Sequence, residues 1–197
     1  MRQHTVGILL FNEVEVLDFA GPFEVFSLPA STETKEKYFS VHTISEYGTL
    51  ITARNGLKVQ PDFSFNNHPQ FDILIIPGGY GAEEVEIDNK QVITWIQQQA
   101  TQVQIVASVC TGALLLAKAG LLDGITATTH WMDLDRLEKE FPHVFVRRNV
   151  KFVDEGKMIT SGGISAGINM SFHVVAKLCG EQVARETAKR MEYDIEI

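Results

Sequence analysis

The sequence predicts a single α/β domain, residues 1–197, built as a three-layer sandwich with helices on both faces of a mostly parallel sheet. Three observations predict it. Four short apolar runs lack polar–apolar alternation, which is typical of buried parallel strands. Helix-like segments separate some of these runs, and 197 residues with 45% apolar content are enough for one large core. The runs are TVGILLF (5–11), YFSVHTIS (38–45), FDILIIP (71–77) and VQIVASV (103–109).

Two hairpins and three helices complete the predicted fold. Asn55–Gly56 lies between extended runs and predicts a type I′ turn, and a second turn is predicted at 154–156. Between the third and fourth strands, apolar residues recur at helical spacing and complete a β-α-β unit. These elements are the hairpins at 49–60 and 151–163, the helix at 89–101, and two helices over 164–191 that break at Gly180.

Composition excludes several classes of protein. With 17 Lys and Arg against 25 Asp and Glu, the net charge of −8 repels phosphate backbones, so we expect no nucleic-acid partner. No run approaches the roughly 18 apolar residues of a membrane span. Acidic and polar residues follow the first run where a signal peptide needs a small-residue cleavage site. Two cysteines without CxxC spacing form no disulfide framework, so a reducing cytoplasm is the expected location.

Cys110 is the first candidate catalytic residue. It directly follows the strand at 103–109 and precedes Thr111 and Gly112, which open a helix. This strand-to-helix position resembles the nucleophile elbow of hydrolases, and unpaired N–H groups at the helix start favour a thiolate. The alternative is an inert buried thiol, which is how we interpret Cys179 in its apolar helix.

Glycines follow the neighbouring strand. Gly78 and Gly79 come directly after FDILIIP, where their backbone N–H groups can approach a substrate and, with the N–H of Thr111, line an oxyanion site. The alternative is a simple Gly-rich turn, since GGYG followed by two glutamates is no phosphate cradle.

Asp18 is the candidate acid–base partner of Cys110, and His130 is a candidate substrate-binding residue. Asp18 stands in an apolar stretch after the first strand, where it is either a helix cap or a catalytic carboxyl, whereas Glu24 is expected on a solvated face. His130 ends an apparent strand in TATTHW, at the rim of the predicted site, and the alternative is a purely structural histidine. No histidine has a partner at metal-ligand spacing, so no metal is predicted.

Several segments together resemble the ThiJ/PfpI superfamily of class I glutamine amidotransferase-like proteins, in the subgroup of isonitrile hydratases and of the sensor halves of AraC-type regulators. The resemblance implies a flavodoxin-like sheet, a homodimer, a small-molecule substrate, and no metal or organic cofactor. The functional residues of hydratases in this subgroup fall on Asp18, Cys110 and Thr111. The segments are LDFAGPFEVF (17–26), IIPGGYG (75–81), SVCTGALLLAKAGLLDG (108–124), TATTHW (126–131) and SGGISAGI (161–168).

Departures from the wider superfamily narrow the expected activity. Its members described as proteases carry a histidine directly after the cysteine, where this chain has Thr111. Glutamine amidotransferases use a late His-x-Glu pair, but His173 is followed by two valines. AraC-type regulators continue into a helix-turn-helix domain, and the given chain stops at Ile197, so no DNA binding is expected.

The expected activity is therefore that of a hydro-lyase that converts an isonitrile to an N-substituted formamide. Cys110 is the nucleophile, Asp18 moves the protons and Thr111 orients Asp18 or water. Phe19 and Trp131 are expected to contact the substituent of the substrate. Two alternatives stay open: a non-catalytic ligand sensor or redox sensor that uses Cys110, and a glyoxalase or deglycase in which Asp18 and His130 assist the cysteine.

Overall fold

The computed structural model describes residues 2–195 and consists of a central sheet flanked by helices. Its helices are α1 Val16–Ser27, α2 Tyr80–Glu84, α3 Lys90–Gln102, α4 Gly112–Lys118, α5 Leu134–Glu140, α6 Ala166–Cys179 and α7 Glu181–Arg190. Its strands are β1 His4–Leu9, β2 Phe39–Ser45, β3 Ile51–Thr52, β4 Lys58–Val59, β5 Phe63–Ser64, β6 Ile73–Ile76, β7 Ile105–Ser108, β8 Thr126–Ala127, β9 Phe145–Val146, β10 Phe152–Glu155 and β11 Met158–Ser161.

Seven strands within residues 2–195 form the main sheet, in the order β10-β11-β7-β6-β1-β2-β5. Every neighbouring pair is parallel except β10 and β11. From β1 the chain moves outward to β2 on one side and later to β6 on the other, so the strand order reverses between β1 and β6. In sheets of this type, ligands bind outside the carboxyl ends of the strands near such a reversal.

The core forms because both faces of the central strands are covered. All four residues of β6 and all four of β7 are buried. Helices α1, α6 and α7 pack together as one group, and α2, α3 and α4 as another. Burying each Leu, Ile or Val side chain stabilises the fold by roughly 1.5–3 kcal/mol, which explains why these strands carry continuous apolar runs.

The predicted α/β fold is confirmed. The four predicted strands are β1, β2, β6 and β7, and the predicted helix at 89–101 is α3. The break between α6 and α7 at Gly180 is also confirmed. Gly180 has a φ of 93°, a left-handed conformation that glycine adopts without a steric penalty. Among residues 2–195 no helix is long and apolar enough to cross a membrane.

Two details of the prediction were wrong. Strands β3 and β4 do form a hairpin, but the N–H of Ala53 bonds to the carbonyl of Leu57 and leaves a three-residue loop, not a two-residue type I′ turn. The segment 158–161 is more than part of a peripheral hairpin, because β11 pairs in parallel with β7 inside the main sheet. This pairing brings the loop after β11 next to Cys110.

Candidate active site

Cys110 lies at a sharp turn between the end of β7 and the start of α4. Its φ is 56°, an unusual conformation for a residue with a side chain, and only 6% of its surface is exposed. Its N–H donates to the carbonyl of Gly162 at 3.1 Å, and its carbonyl accepts a hydrogen bond from Thr129 Oγ1 at 2.8 Å. The predicted strand-to-helix elbow is therefore present and is fixed on both sides.

Asp18 lies in the first turn of α1 and is completely buried. Its Oδ2 accepts the N–H of Gly78 at 3.0 Å, whereas Oδ1 has no hydrogen-bond partner among the residues that the structure describes. Burial raises the pKa of Asp18 to about 7, and the charge of Glu15 also raises it. The N–H of Gly78, the thiol of Cys110 and the N–H of Ile164 each lower this pKa by favouring the carboxylate.

The helix-cap interpretation of Asp18 is wrong. The N-cap position of α1 is occupied by Glu15, whose side chain makes no capping hydrogen bond. Asp18 instead binds a backbone N–H of the loop after β6, 60 positions along the chain. Its carboxyl therefore joins α1 to the elbow region rather than closing its own helix. Glu24, farther along α1, is exposed as expected.

We expect replacement of Asp18 by Asn to change how stability depends on pH. The folded-state pKa of about 7 exceeds the ordinary value of 3.8, so the folded protein retains this proton longer than the unfolded chain does. The free energy of unfolding of the wild type should therefore fall as pH rises through this interval, by up to about 4 kcal/mol. Asp18→Asn removes this loss, so the variant gains stability relative to the wild type as pH rises.

Urea unfolding of both proteins from about pH 4 to about pH 8 measures this difference. Parallel stability curves for the two proteins would contradict a raised pKa at Asp18.

Gly78 and Gly79 hold the catalytic candidates in place. The N–H of Gly79 donates to Thr111 Oγ1 at 2.9 Å, just as the N–H of Gly78 donates to Asp18. Both donors that were predicted to face a substrate oxyanion are thus already bonded to side chains. Gly79 also has a φ of 112°, so the turn itself requires glycine.

Replacing Gly78 by Ala should destabilise the protein by about 1–3 kcal/mol, because the new Cβ is forced into occupied space. It would lie 2.5 Å from both the backbone nitrogen and Oγ1 of Thr111. The midpoint of urea unfolding measures the effect. Gly162→Ala is the matched control, since its Cβ would meet nothing closer than 3.6 Å. Equal midpoints for the two variants would refute this account of Gly78.

The raised pKa of Cys110 favours the protonated thiol, whereas the sequence predicted a thiolate. Burial raises its pKa above the ordinary value, and the neighbouring charge of Asp18 raises it further. The N–H and hydroxyl of Thr111 and the N–H of Ile164 oppose this effect by favouring the thiolate. A thiolate can therefore form only when its proton is transferred or when Asp18 is neutral.

Ile164 is a site residue that the sequence reasoning missed. Its backbone N–H lowers the pKa of both Asp18 and Cys110 by favouring their charged forms. Its φ of 53° is an outlier for a β-branched residue. The signal was present in SGGISAGI, where two glycines precede Ile164 at a strand end, but that segment served only as part of the family resemblance. The rule that active sites gather at the carboxyl ends of strands could have found it.

Among residues 2–195, the polar partners of His130 are Met132 and Asp133 rather than Asp18 or Cys110. Its ring packs against Gly163, where an added Cβ would be 2.1 Å from Cδ2. Its Nδ1 accepts the N–H of Met132 at 3.4 Å, so His130 caps the short 3₁₀ turn that follows it. The geometry favours the structural alternative. The second cysteine, Cys179, is half-buried, and burial raises its pKa to about 11.

Comparison with known proteins shows the family to which the chain belongs. A model of the DJ-1/PfpI family matches residues 4–177. The chain is 35% identical over 189 residues to an isonitrile hydratase of Pseudomonas putida, covering 95% of this chain and 78% of that protein.

A regulator and a solved structure extend the comparison. The chain is 29% identical over 190 residues to the HTH-type transcriptional regulator GbdR of Pseudomonas aeruginosa; the match covers 96% of this chain but only 51% of the regulator. The crystal structure of a ThiJ/PfpI family protein from Pseudomonas syringae superposes with a TM-score of 0.83 at 25% identity, covering 100% of this chain and 78% of that one. Sequence and fold agree, and the chain belongs to the DJ-1/PfpI family.

Proposed function

We propose that this protein hydrates isonitriles, converting R–N≡C and water to the formamide R–NH–CHO, with Cys110 as nucleophile and Asp18 as the proton carrier. The observation that carries the proposal is the buried Asp18 carboxyl beside the Cys110 thiol, with a pKa of about 7 and a free Oδ1. A carboxyl with this pKa can both give and accept a proton near neutral pH. The similarity to an isonitrile hydratase supports the same reaction.

The first step adds the S–H bond of Cys110 across the terminal carbon of the isonitrile. Neutral Asp18 donates its proton to that carbon while Sγ attacks it, and Asp18 takes up the proton that leaves the thiol. The product is the thioimidate R–N=CH–S–Cys110. Because Asp18 loses one proton and gains another, no lasting negative charge develops in this buried site. A lasting charge would be costly there, because the site is buried away from water.

The second step adds water across the C=N bond of the thioimidate. Asp18 and the hydroxyl of Thr111 orient the water, whose oxygen bonds to carbon while one proton reaches nitrogen. The resulting R–NH–CH(OH)–S–Cys110 collapses to the formamide and releases the thiol of Cys110. The N–H groups of Thr111 and Ile164, which favour negative charge on sulfur, assist this departure.

Leu17 and Ile164 are suited to contact the substituent R. Each is 38% exposed, and each adjoins a reacting group: Leu17 precedes Asp18 on α1, and Ile164 carries the N–H described above. Phe19, which was expected in this role, is only 7% exposed and packs in the core. These contacts favour an apolar R group.

Proton NMR of the purified protein with cyclohexyl isocyanide tests the proposal. We expect a growing formamide signal that depends on Cys110. Absence of formamide, from protein whose Cys110 is intact and free, would reject hydration.

The second candidate function is a non-catalytic sensor that binds a ligand in the same site or is oxidised at Cys110. The observation that favours it is the 29% identity to the regulator GbdR, of which this chain spans about half the length. Ligand binding without turnover would support it. Glyoxalase chemistry has less support, because His130 caps its own turn; Cys110-dependent consumption of methylglyoxal would indicate it.

A further inference from the structure

The elbow places Cys110 in a conformation that its neighbours must maintain. A residue with a side chain at a φ of 56° is strained and persists only where surrounding contacts determine it. This backbone conformation fixes the position of the Cys110 Cβ and so limits the positions that Sγ can take relative to Asp18. Whatever fixes the two peptide groups of Cys110 therefore also restricts the geometry of the thiol.

One of these contacts is a side chain. The N–H of Cys110 bonds to the backbone of Gly162, but its carbonyl accepts the hydroxyl of Thr129 at 2.8 Å. The alternative donor to this carbonyl is the N–H of Ala113, which is more distant at 3.4 Å. Thr129 is only 2% exposed, so water does not readily replace its hydroxyl.

Thr129 is itself held rigidly. The residue before it, Thr128, is also 2% exposed, and its backbone N–H donates to Thr160 Oγ1 on β11 at 2.9 Å. Strand β11 pairs with β7, which ends just before Cys110. The hydroxyl of Thr129 thus connects the elbow to the same framework that carries the Gly162 and Ile164 loop.

We propose that Thr129 is a positioning residue for Cys110: its buried hydroxyl holds the Cys110 carbonyl so that the thiol stays beside Asp18 and the N–H of Ile164. Thr129 Oγ1 donates to the backbone carbonyl of Cys110, not to its thiol, so its effect on the reaction is exerted through Cys110. The proposal rests on the proposed function where activity is measured, but the coupling between Cys110 and Asp18 can be tested without it.

Two measurements on Thr129→Val test this role. Val keeps the shape of Thr and removes the hydroxyl. We expect kcat for formamide production to fall at least about tenfold with KM changed by less than about twofold, because the reacting groups lose alignment while the binding surface remains. We also expect the midpoint of the pH profile of Cys110 alkylation by iodoacetamide to shift by at least about half a pH unit, because the thiol moves relative to Asp18.

Two variants serve as controls. Thr129→Ser keeps the hydroxyl and should restore both values to near those of the wild type. Thr128→Val removes an equally buried neighbouring hydroxyl but leaves the backbone bond to Thr160, so it should change neither value.

A folded Thr129→Val protein with wild-type alkylation would overturn the proposal, as would an equal effect of Thr128→Val. Thr129→Ala replaces the Val variant if the latter does not fold. If no variant or wild type produces formamide, the proposed function fails, and the alkylation profiles alone still decide the role of Thr129.

Discussion

Cys110→Ser should reduce formamide production by at least about 10³-fold. A serine hydroxyl is a far weaker nucleophile than a thiol, and its proton is harder to remove. Asp18, with a pKa of about 7, can accept a proton from a thiol during attack but is too weak a base for a buried hydroxyl. Because the replacement differs by one atom, the elbow and its hydrogen bonds should remain.

Steady-state rates measured by NMR, together with thermal unfolding, check this expectation. Cys179→Ser is the matched control, because Cys179 is the other cysteine of the chain and lies on α6, away from the elbow. It should retain full activity. Formamide production by Cys110→Ser within about tenfold of the wild-type rate would exclude covalent catalysis by this residue.

Asp18→Asn should lower kcat by about 10²- to 10⁴-fold, the usual contribution of a positioned acid–base group. Asn keeps the size of the side chain and can still accept the N–H of Gly78, but it cannot exchange a proton with Cys110 or the substrate. The same variant is expected to become more stable relative to the wild type as pH rises. Lost activity together with gained stability would show that the buried carboxyl is retained for chemistry rather than for folding.

The pH profile of kcat tests the role of the proton directly. The reaction begins with protonated Asp18, so the wild-type rate should fall as pH rises above about 7. This decline should be absent from the residual activity of Asp18→Asn. Glu24→Gln is the control on the same helix, because Glu24 is exposed to solvent, and its profile should match the wild type. An Asp18→Asn enzyme with the wild-type rate would eliminate the proposed proton transfer.

Much of the fold could be predicted from the sequence because its signals are local. Continuous apolar runs in β1, β6 and β7 show that both faces of these strands are covered, and Gly180 marks a helix break through its own backbone conformation. The position of Cys110 between a strand and a helix was likewise visible in the order of residues. The short β5 was missed, because two residues carry too little pattern. The hairpin at 151–163 was predicted, but the parallel pairing of its strand β11 with β7 was not, because that pairing joins distant segments of the chain.

The sequence by itself determined the α/β class, the elbow cysteine and the presence of a carboxyl at Asp18. Only the tertiary structure decided the pKa shifts of Asp18 and Cys110 and the contacts that they make. Burial at the meeting of α1, β6 and β7 raises the pKa of both groups, and contacts between residues 60 positions apart turn a possible helix cap into an acid beside a thiol. Desolvation and charge coupling depend on distances between distant chain segments, and no local pattern of residues encodes those distances.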